Sequence, residues 1–242
     1  MADAKAHYER LLAPYYTWMA GGYDFKLNEY REFFKNLNLR PSGSGIAVDL
    51  GSGCGFQAVP LAELGFSVWA FDLSSKLLTE LKQNAKNLSV TAIEDNLLKF
   101  SKYSPDNVEV IVCMGDTLTH LKSRKDVQHL FKRAFRFLEL QGLLILSFRD
   151  LGTELRDLDR VIPVRSDSNR IFTCFLEFER RHVKVHDIIY EKTNSQWKMR
   201  KSFFRKLRIS PEWLKKILLE IGFNIETFKI HGGMVTVIAR KQ

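Results

Sequence analysis

Val48-Asp49-Leu50-Gly51-Ser52-Gly53-Cys54-Gly55, with Asp72 closing the next apolar run, is the stretch whose reading decides the fold of this chain. Ile46-Ala47-Val48-Asp49-Leu50 reads as a strand, and three glycines at alternate positions let the backbone turn sharply and lie flush against a ligand. A helix after such a loop points its free N–H groups at whatever lies above it. Loops that cradle a dinucleotide pyrophosphate read G-x-G-x-x-G. Here the third glycine comes only two positions after the second, and Asp49 precedes the first. An acid at that place disfavours an anion and suits a cationic ligand that carries an ammonium group. Asp72 follows Ser67-Val68-Trp69-Ala70-Phe71, seventeen residues beyond Gly55, where it can accept hydrogen bonds from ribose hydroxyls. A plain surface turn does not account for the series strand, glycine loop, helix, strand, acid.

Outward from this stretch the chain alternates. Residues 56–64 read as a helix, 67–72 as a strand, 75–87 as a helix, and 89–93 and 108–113 as strands. Val127, Leu130, Phe131, Ala134, Phe135 and Leu138 mark a further helix, and Leu143 to Phe148 a buried strand. Such a βα rhythm implies a mainly parallel sheet with helices on both faces. After Arg149 the rhythm changes to three longer strands, 171–179, 182–192 and 196–209, read as an antiparallel insertion. In the third, Trp197, Met199, Phe203, Leu207 and Ile209 share one phase with Lys201 and Arg205. Ser210-Pro211 then caps a helix that runs to Gly222, and strands near 223–230 and 234–240 form a closing hairpin. At the other end, Tyr8, Leu11, Leu12, Tyr15, Tyr16 and Met19 form a helical stripe interrupted by Pro14, and Tyr30, Phe33, Phe34 and Leu37 form a second.

With 242 residues and 45% apolar content, one α/β domain with an insertion is expected. No apolar run approaches the length of a membrane span, the N-terminus lacks a signal-peptide layout, and the three cysteines stand apart. A cytoplasmic chain is the resulting expectation. No His/Cys cluster has metal-ligand spacing. The net charge of +9 is concentrated in Lys198 to Arg208, which carries six basic residues and no acid. That segment is either a nucleic-acid surface or the solvated face of a strand.

The glycine loop with its leading Asp49 resembles motif I of the class I S-adenosylmethionine-dependent methyltransferases. Asp72 is similar to the acid that closes their second strand, Ile93-Glu94-Asp95-Asn96 to their adenine-contacting segment, and Val110 to Asp116 to the end of their fourth strand. The resemblance implies a Rossmann-like, seven-stranded, mostly parallel sheet with an antiparallel last strand. An N-terminal helical lid (1–42) would precede the cofactor core (43–150), a β insertion (151–209) would follow the fifth strand, and 210–242 would complete the core. It also implies S-adenosylmethionine as methyl donor and S-adenosylhomocysteine as product. Asp49 and the backbone of Gly51, Ser52, Gly53 and Gly55 would hold the methionine part and Asp72 the ribose. Asp95 would accept from the adenine amino group, and Leu73, Asn96 and Leu97 would frame the ring.

Residues near the reacting methyl must come from the ends of the fourth and fifth strands and from whatever covers them. Met114 lies there, and so do His120, able to accept a proton near neutral pH, and Arg149, able to pair a substrate carboxylate. Tyr15, Tyr16 and Trp18 could close over a sulfonium as an aromatic lid, whereas core packing explains Tyr8 better. The Asn/Asp-Pro-Pro-aromatic element of enzymes acting on base amino groups is absent, as are a Pro-Cys nucleophile and a paired-glutamate loop. The layout resembles the small-molecule branch, such as glycine or amino-sugar N-methyltransferases. The acceptor expected is therefore a small molecule, anionic if Arg149 binds it, methylated on N or O. Two alternatives stay open: RNA as substrate through the 198–208 strand, or a catalytically silent cofactor-binding protein. The insertion could also pack against a second copy of the chain.

Overall fold

In the computed structural model, which describes residues 4–242, the strands form two sheets. The larger contains β1 (Ile46–Leu50), β2 (Ser67–Asp72), β3 (Val90–Glu94), β4 (Val108–Cys113), β5 (Leu138–Arg149), β10 (Phe223–His231) and β11 (Met234–Lys241). Their spatial order is β10-β11-β5-β4-β1-β2-β3. β1 pairs in parallel with both β2 and β4, so the order reverses there and leaves a crevice beyond the strands' C-terminal ends. β11 alone runs antiparallel, inserted between β5 and β10. The expected topology is the one observed.

The helices cover both faces because their apolar stripes recur at helical spacing. α3 (Tyr23–Asn36), α4 (Ala58–Glu63) and α5 (Ser75–Asn84) bury Leu27, Phe34, Leu61 and Leu81 against one face. α6 (Arg124–Phe137) and α7 (Pro211–Ile221) bury Leu130, Phe131, Leu214 and Leu218 against the other. Serines stop the fraying: Ser74, Ser123 and Ser210 each accept a backbone N–H from the first turn of α5, α6 and α7. The link into β1 is clamped by Glu109 of β4, which accepts the N–H groups of Ser42, Gly43 and Gly45.

The insertion is a four-stranded antiparallel sheet, β6 (Val161–Ser166), β7 (Arg170–Phe178), β8 (His182–Thr193) and β9 (Gln196–Leu207). β6 carries Pro163 and is largely exposed, as an edge strand allows, so its sequence shows no alternation to read. The phase expected for β9 is corrected by the structure. Phe204 is buried at 3% exposure, whereas Trp197 and Met199 lie open at 46% and 50%. The inward row is Ser202, Phe204 and Lys206, paired with Asp187, Val185 and Val183 of β8. Polar residues on the buried side and aromatics on the wet side invert the usual signal. Leu207 and Ile209 are buried, but in the core beneath the large sheet, where the chain leaves β9.

The N-terminal segment is not one helix. α1 (Ala4–His7) passes into a π turn (Tyr8–Leu12), a 3₁₀ turn (Ala13–Tyr15) and α2 (Tyr16–Met19). Pro14 has no N–H to continue a regular ladder, and the resulting irregularity lets successive side chains face different partners. Leu11, Leu12 and Tyr15 pack with Phe172, Val185, Ile189 and Phe204, which seats the segment on the inner face of the second sheet.

Candidate functional site

The glycine loop sits at the crevice. The N–H groups of Gly51 and Ser52 both donate to the Phe71 carbonyl, at 2.8 and 2.9 Å, which turns the chain back at the end of β1. Gly51 adopts φ +82°, and a Cβ there would lie 2.9 Å from Cβ of Thr117. Asp72 accepts the N–H of Gly53 at 2.9 Å and that of Ser74 at 2.8 Å, fixing the loop to the end of β2. Asp49 is 1% exposed, and no hydrogen bond of ordinary geometry reaches either of its oxygens. Burial, reinforced by the charge of Asp72, raises its carboxyl to about 8, against a small opposing effect from the Ala58 N–H. The Asp72 carboxyl is raised too, by burial above all, and Glu9 adds to it. Buried Asp49 and half-buried Asp72 thus have no cationic partner among the described residues, and the buried Ser52 hydroxyl of the same loop is also unpartnered.

The Tyr16 ring covers Gly53, with Cε1 3.1 Å from where a Cβ would be, and it stacks on Phe56 at 5.7 Å between centroids. Glu9 accepts from the Ser74 hydroxyl at 2.6 Å, and Lys76 donates to the Glu9 carbonyl, so the segment is latched down beside Asp72. Met114 is buried at the end of β4. Beyond β3, Asp95 accepts from Lys99 and Tyr103 at 2.8 and 2.7 Å, and these with the Asn96 N–H hold its carboxyl well below the usual range. Asn96 caps the turn that begins at Leu97, half-buried, and Leu73 lies at the surface nearby. These residues border the same rim of the crevice.

A second group of buried polar side chains lies between the strand ends and the inner face of the insertion. Asp116 follows β4 in a left-handed conformation, φ +75°. It accepts from Lys206 of β9, from the backbone N–H of Arg149 at 2.9 Å and from Thr119 Oγ1 at 3.0 Å. Burial alone would raise its carboxyl; the Lys206 charge and hydrogen bonds outweigh that and lower it. His120 is stacked on Phe204, 5.2 Å between centroids, and its Nε2 lies 3.5 Å from Tyr8 Oη. Burial first, then the Lys206 charge, depress its pKa to about 4, so the ring is neutral at physiological pH. His7 Nε2 is 2.7 Å from Asp187 Oδ2, and the Cys174 thiol donates to Asp187 Oδ1 at 2.9 Å.

Among the aromatic residues expected over the loop, Tyr16 is there, but Tyr15 and Trp18 are not. Tyr15 donates to Glu191 of β8 at 2.8 Å, and Trp18 donates to Asp167 at 2.7 Å with the Arg170 guanidinium against its ring. Both point to the second sheet because the π and 3₁₀ turns rotate the stripe away from a single helical face. Tyr8, read as a packing residue, instead reaches His120. Arg149 is exposed, and its hydrogen bond to Asp116 is made by its backbone; its side chain is not among the buried groups. His7 and Asp187 are brought in as site residues only by the fold. An acid on the otherwise apolar inner phase of β8 was the available signal.

Comparison with known proteins agrees with this geometry. The family described as "Methyltransferase domain" matches residues 47–142. Glycine/sarcosine N-methyltransferase of Aphanothece halophytica is 27% identical over 121 residues, 49% of this chain and 45% of that protein. The chain thus spans about half the length of that curated relative. Two solved structures share the fold almost end to end. An S-adenosylmethionine-dependent methyltransferase of Clostridium acetobutylicum has a TM-score of 0.72 at 18% identity, covering 97% of this chain and 96% of its own. An amino pentose methyltransferase of Micromonospora echinaspora has 0.71 at 11% identity, covering 91% of each.

Proposed function

From the premise that residues 47–142 belong to the class I S-adenosylmethionine-dependent methyltransferases, we propose that this chain methylates a small molecule, at an amine nitrogen in preference to an oxygen. The observation that carries the reading is buried Asp49, with no cation beside it among the described residues, next to half-buried Asp72 at the glycine loop. S-Adenosylmethionine fits them: its ammonium suits Asp49, its ribose hydroxyls suit the remaining lone pairs of Asp72, and the glycines leave room for its methionine part.

When bound, the sulfonium supplies the methyl group and departs as a neutral thioether. The chain's own contribution is position and exclusion of water. Asp49 and Asp72 orient the donor, Tyr16 and Tyr8 cover the crevice, and Asp95 with Asn96, Leu97 and Leu73 borders the adenine side. His120 is neutral and close to Tyr8, so it can accept a hydrogen bond from an acceptor without bringing a positive charge near the sulfonium.

A small acceptor is favoured over RNA by the state of the 198–208 segment. Lys206 is spent on Asp116, Arg205 on Glu179 and Arg208 on Glu154, so half of its six basic residues are paired with acids of this chain. The inner face of the insertion is closed over the strand ends by the N-terminal segment. Nitrogen is favoured because relatives such as the Aphanothece enzyme are named as N-methyltransferases. Calorimetry with S-adenosylhomocysteine tests the donor: no heat with it and a clear signal with NADH would overturn the reading. Labelled methyl transfer from S-adenosylmethionine, offered a small-molecule cell extract and separately RNA, tests the acceptor; label in RNA alone would overturn a small-molecule substrate.

A further inference from the structure

We propose that His7 is the catalytic base of this methyltransferase and that Asp187 is its positioning residue. The pair rests on the reading given above but is seen without any ligand. His7 and Asp187 are both 2% exposed. A carboxylate can only accept, so the 2.7 Å contact puts a proton on Nε2; in the neutral ring the lone pair is then on Nδ1. That Nδ1 is buried and has no hydrogen-bond partner. A carboxylate-oriented imidazole with its other nitrogen free has the base-and-orienter arrangement of nucleophile-activating sites.

The surroundings favour His7 over His120 for this task. Both rings lie against Phe204, at 4.5 and 5.2 Å between centroids. His120 has Lys206 beside it and no direct carboxylate bond, so a proton there is opposed. His7 has Asp187 to stabilise its imidazolium. The groups facing His7 are Asp187 of β8, Cys174 of β7 (bound to the same carboxylate), Phe204 with Lys206 beyond it on β9, and Tyr8 on its own segment. His120 faces it from the turn after β4.

The step balances simply. The acceptor nitrogen's lone pair forms the bond to the methyl carbon as the carbon–sulfur bond breaks toward sulfur. The proton that the nitrogen must shed passes to His7 Nδ1 and then to solvent when the segment lifts. Because His7 rides on the segment latched through Glu9, the base is in place only when the crevice is covered.

Three measurements decide it. In ¹⁵N-histidine NMR of the unliganded protein, His7 should carry a proton on Nε2; a ring protonated on Nδ1 alone would overturn the assignment. His7→Gln should bind S-adenosylhomocysteine within about threefold of wild type by calorimetry, yet lose about a hundredfold in methyl transfer to a small-molecule extract. Asp187→Asn, which keeps the imidazole, should give an intermediate loss, and the acidic limb of the pH–rate profile should vanish in His7→Gln alone. An unchanged rate, or an acidic limb that persists in His7→Gln, would leave the pair a structural contact only. Absence of S-adenosylhomocysteine binding by the wild type would instead remove the methyltransferase reading, with the tautomer still deciding the geometry of the pair.

Discussion

The two halves of the site handle buried acids in opposite ways. On the glycine-loop side, neither acid has a cationic partner among the described residues, and Asp72 is held only by backbone N–H groups. On the insertion side, Asp187 meets His7 and Cys174, and Asp116 meets Lys206. An unbalanced buried carboxylate costs stability until a cation arrives, whereas a balanced one fixes the frame. On the function proposed above, the difference separates a half suited to a cationic ligand from a half whose acids are already paired within the chain.

The strongest way to break the first half is to fill the loop. Gly51→Ala puts a Cβ into a left-handed backbone and against Cβ of Thr117. We expect a loss of about 3 kcal/mol or more in urea unfolding, from strain and overpacking together. Donor binding should disappear with it. A loss below about 1 kcal/mol would show that the crevice relaxes freely.

Next comes Asp49→Asn, which tests the imbalance itself. S-Adenosylhomocysteine, which keeps the ammonium, should bind about a hundredfold more weakly, about 2.7 kcal/mol. The unliganded variant should be more stable than wild type. The sign follows from the carboxyl being raised to about 8: its favourable contribution is complete below its unfolded value and is lost as pH rises through 8. His120, depressed to about 4, opposes this slope only below pH 6.5, where stability falls with acid. Between pH 6.5 and 8 the wild-type melting temperature should therefore fall, and Asp49→Asn should flatten that decline. An unaltered slope would exclude Asp49 as its source.

The second half is broken more gently. Tyr15→Phe removes one hydrogen bond to Glu191 and should cost about 1 kcal/mol while leaving donor affinity unchanged. Tyr16→Leu, one residue on, should weaken donor binding severalfold because its ring covers Gly53. Equal effects on binding from the two variants would contradict the rotation introduced by the π and 3₁₀ turns.

This contrast also explains what could be read from the residues. The loop, Asp49 and Asp72 lie within one βαβ unit, where glycine spacing and a terminal acid are local features; the βα rhythm gave a mainly parallel sheet, and its antiparallel last strand came from the family resemblance these residues carry. His7 and Asp187 are 180 positions apart, and His7 and Tyr8 sit in a stripe whose helical period is broken by a π turn. No local pattern encodes such a meeting. The edge strand β6 was hidden for a different reason, since an exposed strand with a proline needs no apolar alternation.

The smallest expected effect tests the face assignment of β9. Met199 pairs across to Tyr190, whose neighbour on β7 is Ile171, and all three are exposed on the outer side of the insertion. Met199→Lys should change stability by no more than about 0.5 kcal/mol, as for other open positions. Phe204 lies five residues on, in the opposite phase, against His7 and His120. Were the outward residues the buried ones, Met199→Lys would be severe and Phe204→Ala mild. The structure requires the reverse, because truncating a fully enclosed ring removes its transfer energy and leaves a cavity, about 3 kcal/mol or more. The same cavity would loosen both imidazoles, so Phe204→Ala should broaden their NMR signals while leaving the glycine loop able to bind S-adenosylhomocysteine. Intact donor binding beside a disordered histidine pair would show that the two halves of the site are stabilised separately.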